Sequence, residues 1–284
     1  MASSGIEVDV TVIDNGQLQP PRLRDCLPAE TRVIAEERNA GYTGGANEAL
    51  RDWRARYPEG DLCVIASHDL HVEPDALAHL VATAAAHHDA GIVAPVTTGP
   101  HPTSGGGWTG TRAMQFGPTA GDGVIERDWA SGTCLMVRRA CVDRIGDFDE
   151  RFGSYVEDVD YGLRARDSGW RVLIDTDARV HGLGATSDAW IASITANMVL
   201  LGAKRGGALG AARTFVLYAF WTVRASIASV TPGRDEVRRI ESRRYARQRL
   251  SGLIRAIRGG GLRAMMRDRS GDSSIGASRR SASL

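Results

Sequence analysis

The 284-residue chain carries 35 Lys+Arg against 34 Asp+Glu, with 43% hydrophobic and 24% charged residues. Those proportions suit a globular protein with a real core, and they exclude collagen-like, wholly disordered and disulfide-scaffold classes. The near-neutral total hides an asymmetry: residues 1–200 balance at −12 (17 basic, 29 acidic) and residues 201–284 at +13 (18 and 5), so an acidic body precedes a basic end. Cys26, Cys63, Cys134 and Cys141 show no CxxC spacing and read as reduced thiols of a cytosolic protein. The first residues lack the basic start and apolar run of a leader. Ala208–Val230, the most apolar stretch, is interrupted by Arg213 and Arg224, which argues against a membrane span.

Taken in order, residues 8–13 are a β-branched run ending at the turn signal Asp14-Asn15-Gly16. A weaker strand is predicted at 31–34. A glycine-rich loop at 39–45 precedes a helix over 46–57. The strand 62–66 leads into the polar segment Ser67-His68-Asp69-Leu70-His71, then a helix from about Pro74 to His87 and a strand at 91–95. Strand, loop and helix in repetition predict an α/β fold with a mostly parallel sheet and ligands at the strands' carboxyl ends. Residues 97–123 read as an irregular excursion, 130–137 as a strand, 138–147 and 156–168 as helices, and 170–174 as a strand leading to His181. Beyond Ser187 the pattern is helical over 188–204, 208–230 and 234–258, with a tail after about residue 260, dominated by Ser, Gly, Arg and Asp, read as disordered. This divides the chain into 1–187, 188–260 and 261–284.

Glu157, Asp158 and Asp160 crowd three carboxylates into four positions. Such a cluster repels itself unless a cation or a substrate hydroxyl shares it, and it raises at least one pKa. One carboxylate can face a cleft while its neighbours anchor the chain; the plainer reading is a solvated helix start favoured by the dipole. His68 and His71, on opposite faces of a strand, do not converge on one ion, so the zinc reading they invite is set aside. Amides at the helix start after Asn39–Asn47 can hold phosphate.

Gly146-x-Phe148-Asp149-Glu150-x-Phe152, Glu157-Asp158-x-Asp160 and Ala178-x-Val180-His181 occur in order after Trp129-Ala130-Ser131-Gly132. With Asp14-Asn15-Gly16, Asn39-x-Gly41-Tyr42-x-Gly44-Gly45-x-Asn47 and Asp69-x₄-Pro74-Asp75, this pattern closely resembles the inverting family 2 glycosyltransferases, rhamnosyltransferase-like branch, over residues 8 to about 205. The resemblance implies a GT-A-like fold: a Rossmann-type sheet flanked by helices, followed by a C-terminal helical extension. It implies Asp158 as general base beside Glu157, with Asp69 and His181 on a divalent metal, Mg²⁺ or Mn²⁺, although Ser67 replaces the first acidic position of the family's Asp-x-Asp. It places Asp14, Asn15, Asn39, Gly41, Gly45, Asn47, Ser67 and Asp69 near the nucleotide and donor, and Trp129 and Gly132 near the acceptor and donor sugar. The implied reaction moves a sugar, rhamnose or another hexose, from a dTDP- or UDP-sugar to a glycan or lipid-linked acceptor in envelope polysaccharide synthesis. Two other readings stay open: an inactive sugar-nucleotide-binding scaffold and a metal-dependent phosphohydrolase.

Family members normally begin with a further strand and helix, roughly thirty residues, before the Asp14-Asn15-Gly16 strand. Here eight residues precede Asp9, which predicts a gap in the sheet whose exposed edges invite association, including with a second copy. At the other end, the apolar 208–230 segment beside Arg238, Arg239, Arg243, Arg244, Arg247 and Arg249 suits either an anionic membrane surface at the inner face of the cell membrane or a hairpin with a solvated arginine face. No nucleic-acid motif accompanies these arginines, so nucleic acid is not an expected partner.

Overall fold

The computed structural model describes residues 6–16, 25–99, 105–110, 113–117, 123–182, 190–231 and 235–259. The chain forms two compact units, 1–186 and 187–284. The tail expected to be disordered lies outside the described residues.

In the first unit β1 (Thr11–Asp14) and β2 (Arg32–Ala35) pair in parallel as a ladder of their own. Then come α1 (Gly41–Arg56), β3 (Leu62–Ala66), β4 (Leu70–Val72), α2 (Ala76–Ala86) and β5 (Ala90–Thr98). The segments β6 (Gly106–Gly110), β7 (Ala113–Phe116), β8 (Val124–Arg127) and β9 (Trp129–Ala130) lead to β10 (Cys134–Arg138) and α3 (Arg139–Ile145). A 3-10 turn at Glu150–Phe152, α4 (Glu157–Asp167) and β11 (Arg171–Gly182) complete the unit.

The main sheet runs β3-β10-β5-β11-β4, with β8 also on β11. Only β5 and β11 are parallel within it, so the sheet is mixed rather than mostly parallel. The reason lies in the connection: β10 is reached through a turn from β9, not by a helical crossover, and a reversed strand pairs antiparallel with both neighbours. Leu50 and Trp53 of α1, Cys141 and Val142 of α3 and Tyr161 of α4 pack on one face with Ile92, Val137, Val172 and Ile174. Leu80 and Ala84 of α2 cover the other face with Val93, Met136 and Leu173. Both faces of β5 and β11 are therefore dry, which explains their unbroken apolar runs.

Several predicted elements are corrected. The excursion at 97–123 contains β6 and β7, which form a three-stranded sheet with β9. Glycines make β6 possible, because a Cβ on Gly106 would stand 2.2 Å from the Trp129 carbonyl oxygen. The strand predicted at 130–137 is broken at 131–133, so Gly132 sits in a turn. The predicted loop at 39–45 is largely the first turn of α1. β11 runs on to Gly182, and its register against β5 shifts between Asp175 and Arg179. That shift falls opposite Pro95, which has no N–H to give the ladder. The displaced amides are taken locally: Asp175 Oδ1 accepts from Asp177 N at 3.0 Å and Ala178 N at 3.3 Å.

Among the described residues no ladder joins β1 to β3, although α1 packs against both. Polar ties hold the small ladder to α1: Thr11 Oγ1 donates to Asp52 at 3.2 Å, and Arg32 pairs with Asp52 at 3.0 Å.

The second unit holds α5 (Trp190–Val230) and α6 (Glu236–Arg258). α5 is interrupted at Gly207 (φ 62°, ψ −149°), giving the two helical segments the sequence predicts. The segments approach closely, since a Cβ on Gly202 would stand 2.7 Å from the Gly210 carbonyl oxygen. Gly252 of α6 lies as tightly against Ala192 and Thr195. Among the described residues no helix is long and apolar enough to cross a membrane.

Candidate functional site

Tyr155 (φ 72°) and Val156 (φ 75°) precede α4 in the left-handed conformation. For a β-branched residue this is a true outlier, costing on the order of 1–3 kcal/mol, and such strain persists only where the surroundings impose it. The kink delivers Glu157 and Asp158, the first residues of α4, to the 131–133 turn. Asp158 Oδ2 accepts from Gly132 N at 2.9 Å and Oδ1 from Val159 N at 2.8 Å. A Cβ on Gly132 would lie 3.3 Å from Asp158 Cβ and 3.5 Å from Glu157 Oε1, so a side chain here would crowd Asp158 by a few tenths of an ångström. The Tyr42 hydroxyl closes the far side by donating to the Gly132 carbonyl.

The electrostatics follow from this crowding. Burial raises the Asp158 pKa, while the Gly132 and Val159 amides pull it down. Glu157 is 5% exposed, and its Oε2 has no hydrogen-bond partner. Burial, then the charge of Asp158, holds its carboxyl well above the usual range. Two ionised carboxyls side by side in a buried site are costly, which favours keeping a proton on the pair. Burial, then Glu157 and Asp158, also raises Tyr42 well above its ordinary value, which keeps it an O–H donor. Asp160 serves structure instead: it accepts from Arg164 Nε at 2.9 Å, and Arg164 donates onward to Ile145 O at 2.6 Å and Asp147 O at 2.9 Å.

The start of α1 is capped from within, which corrects the expected phosphate cradle. Gly41 N donates to Asn39 Oδ1 at 2.8 Å, Tyr42 N to Ser154 Oγ at 3.0 Å and Thr43 N to Gly153 O at 2.9 Å. Gly41 has φ 75°, and a Cβ there would stand 2.6 Å from Gly153 O, so the loop before α4 and the start of α1 interlock. Asn15 spends its amide on the same junction, donating to Gly41 O at 2.7 Å and accepting from Ala40 N at 2.9 Å. Asn47 is buried and bonded to both N and O of Phe148 and to Glu150 Oε1. A Cβ on Gly45 would stand 3.6 Å from the Asn15 amide nitrogen, and Asp14 is buried at the end of β1.

Ser67 N donates to Thr133 O at 2.9 Å, so the turn that holds Asp158 also holds the segment carrying Asp69. Asp69 Oδ1 accepts from Ser67 Oγ at 2.8 Å. Leu70 pairs with Gly182 and His71 with His181, which places Asp69 and His181 at one end of adjacent strands. Carboxylate and imidazole donors at one strand end are chemically suited to a divalent cation. Among the described residues the one gathered set of three donors is His79, Asp175 and Asp177, on the α2 face away from Asp158. Asp175 there already accepts Thr83 Oγ1 at 2.6 Å.

Trp129 is 1% exposed, which corrects its expected role on a sugar face. Gly162 of α4 packs on it so closely that a Cβ would stand 2.6 Å from Trp129 Cα. Sequence reasoning passed over Tyr42 as a site residue; its signal was an aromatic hydroxyl inside a glycine-rich polar motif. The left-handed pair Tyr155-Val156 gave no signal, since neither residue type favours that conformation.

A sequence profile described as glycosyltransferase-like family 2 matches residues 23–197. An N-acetylglucosaminyl-diphospho-decaprenol L-rhamnosyltransferase of Mycobacterium tuberculosis is 46% identical over 52 residues, 18% of this chain and 17% of that protein. The O-antigen biosynthesis protein RfbC of Myxococcus xanthus is 31% identical over 148 residues, 46% of this chain and 12% of that protein. The chain therefore matches only a small part of the length of either relative. In structure it is similar to the mannosyltransferase PcManGT of Pyrobaculum calidifontis, solved with GDP-Man and Mn²⁺ (TM-score 0.53, 14% identity, 88% of this chain and 77% of that one). It is also similar to GalNAc-T7, solved with UDP, GalNAc and Mn²⁺ (TM-score 0.52, 13% identity, 83% and 48%). These likenesses establish a GT-A glycosyltransferase fold, and the profile match, which spans more than half of the sequence, places the chain within glycosyltransferase-like family 2.

Proposed function

We propose that this protein transfers a sugar, with inversion, from a nucleoside-diphosphate sugar to a glycan or lipid-linked acceptor in envelope polysaccharide synthesis. The observation that carries the reading is the Asp158 carboxylate, fixed by the Gly132 amide beside a buried Glu157. Asp158 takes the proton of the acceptor hydroxyl as that oxygen attacks the anomeric carbon, and the carbon–oxygen bond to the diphosphate breaks on the opposite side. Glu157 tunes Asp158 rather than touching the acceptor, and Tyr42 and Gly132 hold the turn against which the base is aimed. Asn15 and Asn47 position α1 and the Phe148 loop, while Asp14, Asn39, Gly41 and Gly45 line the nucleotide side. Asp69 and His181 would hold Mg²⁺ or Mn²⁺, which supplies positive charge to the leaving diphosphate when bound. Mn²⁺ in the two solved neighbours supports a divalent metal in the reaction.

Rhamnose from a dTDP donor is the favoured sugar, supported by the mycobacterial relative, a rhamnosyltransferase named for a lipid-linked acceptor. The proposed location is the cytoplasm, at the inner face of the cell membrane, a reading supported by the lipid-linked substrate in the name of that relative. The test is transfer from dTDP-rhamnose, or a UDP-hexose, to an N-acetylglucosaminyl-diphospho-polyprenol, with the anomeric configuration of the product read by NMR. Asp158→Asn should lower transfer by about 10²–10⁴-fold and leave calorimetric nucleotide binding intact. Full activity in that variant, or a retained configuration, would overturn the reading. The break between β1 and β3 favours one alternative, a sugar-nucleotide-binding relative without turnover, which would bind nucleotide but release no product.

A further inference from the structure

The second half of α5 presents Leu209, Val216, Phe220, Val223, Ile227 and Val230 to solvent, each 58–80% exposed. Their spacing of seven, four, three, four and three residues keeps them on one stripe, about 32 Å long at 1.5 Å per residue. Ala211, Tyr218, Thr222 and Ser229 occupy the opposite, buried face, so the stripe is surplus to the packing of the unit. Large apolar side chains in a continuous row are costly to leave in water and mark a contact surface. On α6, Val237, Ile240, Leu250, Ile254 and Ile257 are likewise exposed, and exposed Arg243, Arg247, Arg255 and Arg258 alternate with them. The only acidic side chains described on this unit are Asp235, Glu236 and Glu241, gathered at the start of α6.

We infer that this helical unit is a membrane-surface module that lays its apolar stripe into an anionic lipid bilayer, with the α6 arginines on the headgroups. Charge decides between the possible occupants. Residues 201–284 carry a balance of +13, so joining two copies through this surface would bring like charges together, whereas acidic headgroups complement them. The helices lie on the bilayer rather than cross it, in keeping with the absence of a spanning helix among the described residues. This surface is distinct from the Asp158 site, and the inference does not depend on which sugar is transferred.

The test is co-sedimentation of the full chain with phosphatidylcholine vesicles and with vesicles that also contain phosphatidylglycerol, at low and high salt. Binding should favour the anionic vesicles and weaken with salt. The triple substitution V216Q/F220Q/I227Q should cut partitioning at least about tenfold, and R243E/R247E/R255E should erase the preference for anionic lipid. Circular dichroism confirms that both variants keep wild-type helicity, as substitutions at exposed positions should. Wild-type protein left in the supernatant, or undiminished sedimentation of a folded stripe variant, would overturn the inference. So would a dimer in analytical ultracentrifugation that V216Q/F220Q/I227Q dissolves, because the stripe would then belong to a second copy.

Discussion

Glu157 carries a cost that the fold accepts for the sake of its neighbour. Its carboxyl is buried, one oxygen lacks a partner, and its pKa lies well above the ordinary range through burial and the adjacent Asp158. The sign of the linkage follows. As pH rises past the ordinary carboxylate range, the unfolded chain releases this proton while the folded chain retains it, so stability declines until pH reaches the raised folded value. Below the ordinary range both states are protonated and the contribution is fully present. Glu157→Gln, neutral at every pH, should therefore raise Tm by about 2–4 °C near neutral or mildly alkaline pH and change it little in acid. Calorimetric scans of both proteins across pH check this, and a Tm difference independent of pH would show that Glu157 titrates normally. The carboxylate cluster itself was legible in the sequence, because three acids in four residues demand a reason. Their division of labour was not, since it depends on Arg164 reaching Asp160 and on the left-handed pair at 155–156 turning Glu157 toward Gly132.

Elements were legible where apolar periodicity ran uninterrupted, as in β3, β5, α2 and the two segments of α5. They were obscured where one element's geometry is set by another. The glycines of β6 look like a loop until Trp129 and Ala130 lie against them, and β4 is too short to show a period. α1 begins five residues before its apolar pattern because Gly153 and Ser154 supply its cap from more than a hundred residues away. The β11 irregularity is of the same kind: Pro95 withholds an N–H, and the chain at 176–178 bulges in response. The bulge sets which way the residues after it face, since side chains alternate strictly along a strand. Deleting one residue from 176–178 should therefore turn His181 to the other face. Metal-dependent nucleotide binding, measured by calorimetry, is expected to fall at least about tenfold while the fold is retained. Undiminished metal dependence would remove His181 from the proposed set.

Across the whole molecule, the stability of its parts is uneven. β5, β10 and β11 are covered on both faces, whereas β1 and β2 hold to each other by a single short ladder and to α1 through side-chain ties at Asp52, Arg56 and Asn15. Local opening free energies track such differences in buried contact. Amide protons of Thr11–Asp14 and Arg32–Ala35 should exchange with deuterium well before those of Ile92–Ala94 and Val172–Ile174, and equal protection would show the two ladders opening as one. Asp14 and Asn15 end the loosely held strand, so if they take the nucleotide as proposed, bound nucleotide would have to suppress that opening before it could be held. Part of the intrinsic affinity would then be consumed in quieting the first ladder, and a mutation that stiffened β1 would tighten nucleotide binding without adding a contact to it.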